Sequence, residues 1–186
     1  ELVPGVQQRI DQLRAAGARL VIVVGQLADL DAHRALAAQL SEPHLRLQEL
    51  VGEWRVRVGD EMAGTATGRT RLVGQFVEVH IRAEAGPVRN AIYTFGWDDR
   101  HERYIVSAMD ETGTYWVDAR GVAEGDRIPM YGTDDDPVMA EMGLEKAFVI
   151  ELALATPDSA RIETRLIDTR TEARTELPFF GFTLVR

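Results

Sequence analysis

The sequence predicts a mainly β protein, an antiparallel sandwich or barrel, preceded by a mainly helical N-terminal extension. Three observations carry that reading. From Gly52 onward, apolar residues alternate with polar ones, the period of a strand with one buried face. The alternating runs are separated by WDDRHE, DETG, AEGD, TPDS and DTRTE, where Asp, Gly, Pro and Ser supply turn chemistry. Before Gly52 the apolar spacing is helical instead.

In that first stretch, Val6, Ile10 and Leu13 fall on one helical face and Gly17 is placed to cap it. Leu27, Leu30, Ala35, Leu36 and Leu40 form a second face, closed by Pro43. ARLVIVVG lies between them. It is far short of the ~20 residues a membrane-spanning helix requires, and its β-branched content leans towards strand. Residues 1–44 are read as an extension that serves as a structural cap or a homodimerisation element, and 45–186 as the β domain.

Within the β domain, Trp54, Val56 and Val58 oppose Arg55 and Arg57. Val77, Val79 and Ile81 oppose Glu78, His80 and Arg82, and Tyr93, Phe95 and Trp97 oppose Ile92, Thr94 and Gly96. RYIVSAM, TYWVDAR, KAFVIELALA, ARIETRLID and FFGFTLVR continue the series, giving nine or ten candidate strands. Asp136-Pro137 matches an N-cap followed by proline in the first helical turn. A short helix over 137–145 is expected there, with Met139, Met142 and Leu144 covering a barrel mouth.

Composition limits the function. The chain has no cysteine, so disulfides, thiolate metal sites and thiol nucleophiles are excluded. The formal charge is −9, and residues 52–186 hold 24 acids against 16 bases. Such a domain repels phosphate backbones, so nucleic acid is not an expected partner. Lys146 is the one lysine among 21 basic residues, read as codon bias rather than selection for anion binding. No signal peptide is visible, which favours the cytoplasm.

LVGEW with Gly52 and Trp54, LVGQFVEV with Gly74 and Phe76, YTFGWDDRHERYIV, MDETG and GVAEGD follow one another in an order that resembles the bacterial domain family DUF1579. The resemblance spans roughly residues 45–186. Val73 and Trp97 depart from the family's usual glycine and tyrosine. Members are similar to calycins, so the resemblance implies an up-and-down antiparallel calycin/lipocalin-like β-barrel, large enough to be filled by side chains or to hold one small ligand. On this reading Gly96–Arg100 is a hairpin turn, and Trp54, Phe76, Tyr93, Phe95, Tyr104 and Trp116 are the expected ligand-binding aromatics.

Chemical signatures are sparse. Nitrobindin-like barrels share the G-x-W opening but take a haem-ligating histidine from a strand near the C-terminus. Here His33, His44, His80 and His101 are the only histidines, and no haem or other cofactor is expected. Asp134–Asp136 lacks the spacing of a calcium loop and reads as a solvated, helix-capping run, so no metal is expected. G-x-S-x-G, G-x-G-x-x-G and P-loop patterns are absent. Three functions follow. The leading one is a barrel binding a small apolar or amphipathic molecule. The second is an enzyme, a cyclase, isomerase or hydrolase with one acid or base, for which Glu78, His80 and Asp110 are the nominees. The third is a packed scaffold. Glu78 and His80 share one strand face, and the favoured reading turns that face to solvent.

Overall fold

The computed structural model describes residues 40–111, 117–134, 146–168 and 173–186. The helices and apolar run expected before residue 40, the helix expected over 137–145, and Trp116 lie outside the described residues. Ten strands follow in order: β1 (Gly52–Val58), β2 (Glu61–Arg71), β3 (Phe76–Ala83), β4 (Asn90–Asp98), β5 (Arg103–Asp110), β6 (Val117–Gly121), β7 (Arg127–Asp134), β8 (Lys146–Thr156), β9 (Ser159–Ile167) and β10 (Glu176–Val185). Each pairs antiparallel with its sequence neighbours, and β10 returns to β1. The sheet is therefore a closed up-and-down barrel, not a sandwich.

The period-two alternation sets the wall. Val77, Val79 and Ile81 are almost fully buried, as are Tyr93 and Phe95 on β4 and Ile150 and Leu152 on β8. Burying each such side chain contributes roughly 1.5–3 kcal/mol, before chain entropy is counted against it. The intervening residues, Glu78, His80 and Arg82 among them, point outward.

One end of the barrel has a built floor. Helix α1 (Glu42–Leu47) leads into a 3-10 helix (Gln48–Leu50), and both Leu47 and Leu50 are buried. Pro43, read above as closing a helix, stands in the first turn of α1, where its missing N–H loses no helical bond. The Trp54 indole N–H donates to the Leu50 carbonyl at 2.9 Å. Arg186 lies over the same ring, 4.4 Å from its centroid, and donates to the carbonyls of Glu49 and Val51, each at 3.1 Å. These bonds satisfy carbonyls left free where the helix ends. At Gly68 a Cβ would stand 1.9 Å from the Leu50 oxygen, so only glycine admits the floor there.

One expected turn is displaced. Gly96, Trp97 and Asp98 remain in β4, and the turn is 99–102. Trp97 meets Tyr104 edge-on, with centroids 4.9 Å apart, which extends the ladder. Asp98 then accepts the N–H groups of Arg100 and His101 at 3.1 and 3.3 Å and so starts the turn.

If Trp54 secures the floor, Trp54→Phe strands the Leu50 carbonyl and leaves a smaller, weaker ring platform under Arg186. The expected loss is about 1–3 kcal/mol, measured by urea unfolding, with the denaturant slope unchanged.

Candidate functional site

The lumen is bridged at mid-height. Tyr93 on β4 is buried and its hydroxyl faces Thr164 on β9. These strands lie five positions apart in either direction round the ten-stranded barrel. One tyrosine therefore reaches from wall to opposite wall. Its ring stacks on Phe95, with centroids 5.9 Å apart and planes within 13°. Burial holds the phenol well above its ordinary pKa; the Thr164 contact opposes this and the Asp110 charge adds to it. Burial therefore keeps the Tyr93 hydroxyl neutral.

The expected site residues separate accordingly. Trp54, Tyr93, Phe95 and Tyr104 face inward and are buried; Trp54 belongs to the floor. Phe76 does not face the lumen: it is on the outward register of β3, its ring over Gly96. Of the acid–base nominees, Glu78 and His80 are brought together and Asp110 stands apart. Glu78 and His80 lie on the outer wall, where the Glu78 carboxylate joins Arg71 at 2.5 Å and His80 at 2.7 Å. The Arg71 hydrogen bond leads in holding its pKa below the ordinary range, with help from His80 and against partial burial. Asp110 is on the inward register at the far end of β5.

A more open site lies at the seam between β10 and β1. All of β10 runs beside β9, but only Thr183–Val185 pair with β1. β1 ends at Val58, so the first half of β10 continues past it with no strand paired on that side among the described residues. A groove of about 580 Å³ occupies the gap. The β1–β2 tip, the β3–β4 loop at Pro87 and Val88, and Pro178–Thr183 of β10 form its walls. Phe179, Phe180 and Phe182 form an edge-to-face series with centroids 5.1 and 5.8 Å apart. Phe179 is 48% exposed. Arg57, Asp60, Arg161, Glu163 and Thr183 supply the polar side. None of these residues was among the expected ligand-binding set. ELPFFGFTLVR did carry a signal, since Pro and Gly inside a strand pattern mark a bulge or an open edge. The register does shift between Pro178 and Phe180.

An ionic network anchors the free half of β10. Arg165 on β9 reaches Glu151 at 3.0 Å, Glu163 at 3.1 Å and Glu176 on β10 at 2.7 Å. Arg127 also pairs with Glu151. Burial pushes the Glu151 carboxyl up, but its hydrogen bonds and charge contacts with Arg127 and Arg165 outweigh that and hold it below the ordinary range. Among the described residues no cluster of His, Asp and Glu is arranged to hold a metal ion, and no helix is long and apolar enough to cross a membrane.

A family model described as "Protein of unknown function (DUF1579)" matches residues 39–170. No curated protein matches the chain.

A carboxyl whose folded pKa is depressed contributes stability above its unfolded pKa and loses it as pH falls. The protein is therefore expected to lose stability on acidification through the ordinary glutamate range near 4.5. Glu151→Gln narrows the difference in melting temperature between neutral and acidic buffer; an unchanged difference contradicts the assignment.

Proposed function

The chain belongs to the DUF1579 family, and within it we propose that this barrel binds a small amphipathic molecule in the β1/β10 groove rather than deep in the lumen. The carrying observation is the contrast between the two spaces. Tyr93 spans the lumen to Thr164, whereas the groove is open, aromatic on one side and charged on the other. Small-molecule sites typically occupy ~300–1,000 Å³ with mostly apolar walls and a few polar groups, and about 580 Å³ falls within that range. The closed, sequential antiparallel barrel also supports a calycin-like reading of the fold. The family match ends at residue 170, before β10, so the groove is argued for this chain on its own residues.

Strand addition is the competing use of an open strand edge. Pro178 offers no N–H and the bulge beside it breaks the ladder. Both blunt the edge against a peptide and leave its side-chain surface to a small molecule. Catalysis has less support, since Glu78 and His80 sit in a solvent-facing ionic cluster.

Native mass spectrometry of the full chain purified from its own host tests this. The expected result is a small-molecule adduct that is lost on denaturation, depleted in Phe179→Ala and retained in Tyr93→Phe. An adduct that survives Phe179→Ala and disappears in Tyr93→Phe places the ligand in the lumen and contradicts the proposal.

A further inference from the structure

We infer that the ligand of the groove carries a carboxylate head, held by an Arg57–Thr183–Arg161 row, with an apolar tail running over Gly181 towards Phe179. This deepens the groove-binding reading and rests on it.

The register supplies the row. Arg57 on β1 is directly opposite Thr183 on β10, and Thr183 is directly opposite Arg161 on β9. All three are on the outward register, because Val56, Ile162, Phe182 and Leu184 beside them are buried. Neighbouring strands lie ~4.8 Å apart, so two guanidinium-bearing residues flank one hydroxyl across roughly 10 Å. All three line the groove. Guanidinium groups and a hydroxyl are donors suited to a carboxylate, and arginine binds one through two parallel N–H bonds.

The same strand supplies the direction. Two residues back from Thr183 is Gly181, which itself raises no side chain; Glu163 stands directly opposite it on β9. Beyond it Phe180 turns inward opposite Thr164, and Phe179 and Pro178 continue the groove wall that Pro87 and Val88 of the β3–β4 loop also line. One end of the groove thus offers two arginines and a hydroxyl, with Asp60 and Glu163 beside them, and the other end is aromatic. A neutral apolar ligand leaves the row unused, and a cationic head meets two like charges.

Both arginines have partners in the free protein. Arg57 is 3.6 Å from Asp60, whose side chain is fully exposed. Arg161 is 3.0 Å from Glu163, itself shared with Arg165 at 3.1 Å. Exposed bridges of this kind contribute little. Glu163 keeps the less exposed Arg165 if Arg161 turns to a ligand, so a carboxylate displaces weak pairings and leaves no buried acid alone.

Isothermal titration of the full chain with decanoate, decanol and decyltrimethylammonium below their micelle concentrations tests the inference. Decanoate is expected to bind most tightly. Arg57→Gln and Arg161→Gln are each expected to weaken decanoate about tenfold or more, the size of a hydrogen bond to a charged group, and to leave decanol unchanged. Phe179→Ala weakens both. Both arginines are surface residues, and circular dichroism verifies that the variants fold. Equal decanoate and decanol affinities, or arginine variants that bind decanoate normally, overturn the carboxylate assignment while groove binding stands. Tighter binding of the cation overturns it likewise. If none of the three binds, or if Phe179→Ala changes nothing, the groove reading itself fails.

Discussion

The barrel depends on a short closure. Its last strand meets its first through Arg55–Val185, Val56–Leu184 and Arg57–Thr183. Without that seam the sheet has two free edges, and the apolar alternation that fills the lumen faces water. The seam is short because β1 ends at Val58 while β10 starts at Glu176, well before it meets its partner. The groove is a direct consequence: β10 has a neighbour on one side for its full length and on the other only near its end.

Two devices support the seam. At its closed end, Arg186 follows β10 directly and covers Trp54, so the C-terminal strand is tied to the floor as well as to β1. At its open end, Arg165 holds Glu176 and links the unsupported half of β10 to β9 and β8. A strand tethered at both ends but open along one side can present Phe179 to solvent without unravelling. Pro178 and the adjacent bulge add protection, since they spoil the edge as a template for another chain.

Much of the fold was legible in the sequence. Val77, Val79 and Ile81, and then Tyr93 and Phe95, declare their faces by alternation alone, because a strand's period of two leaves one buried set. The G-x-W opening was visible too, but its reason was not. Trp54 secures a floor built from Leu47 and Leu50 and covered by Arg186, contacts that join the start of the β domain to its last residue. The turn at Gly96 was misplaced because glycine near acids is a local turn signal. The tertiary pairing of Trp97 with Tyr104 overrode it. The binding surface was harder still. Alternation says which residues face inward, whereas the groove arises from unequal strand lengths at a seam between residues more than a hundred positions apart. Only the proline and glycine within ELPFFGFTLVR hinted at it. Arginine usage was read as codon bias. The register gives two of those arginines a shared place beside one hydroxyl, which composition cannot express.

The central claim is that the working surface is the seam and not the lumen. Backbone amide chemical shifts of the full chain, followed by NMR during titration with decanoate, test it most directly. The account predicts changes concentrated at Arg57–Asp60 and Phe179–Thr183, with Tyr93, Val106 and Ile150 unmoved. Changes centred on Tyr93, Val106 and Ile150, with the seam residues still, would contradict it.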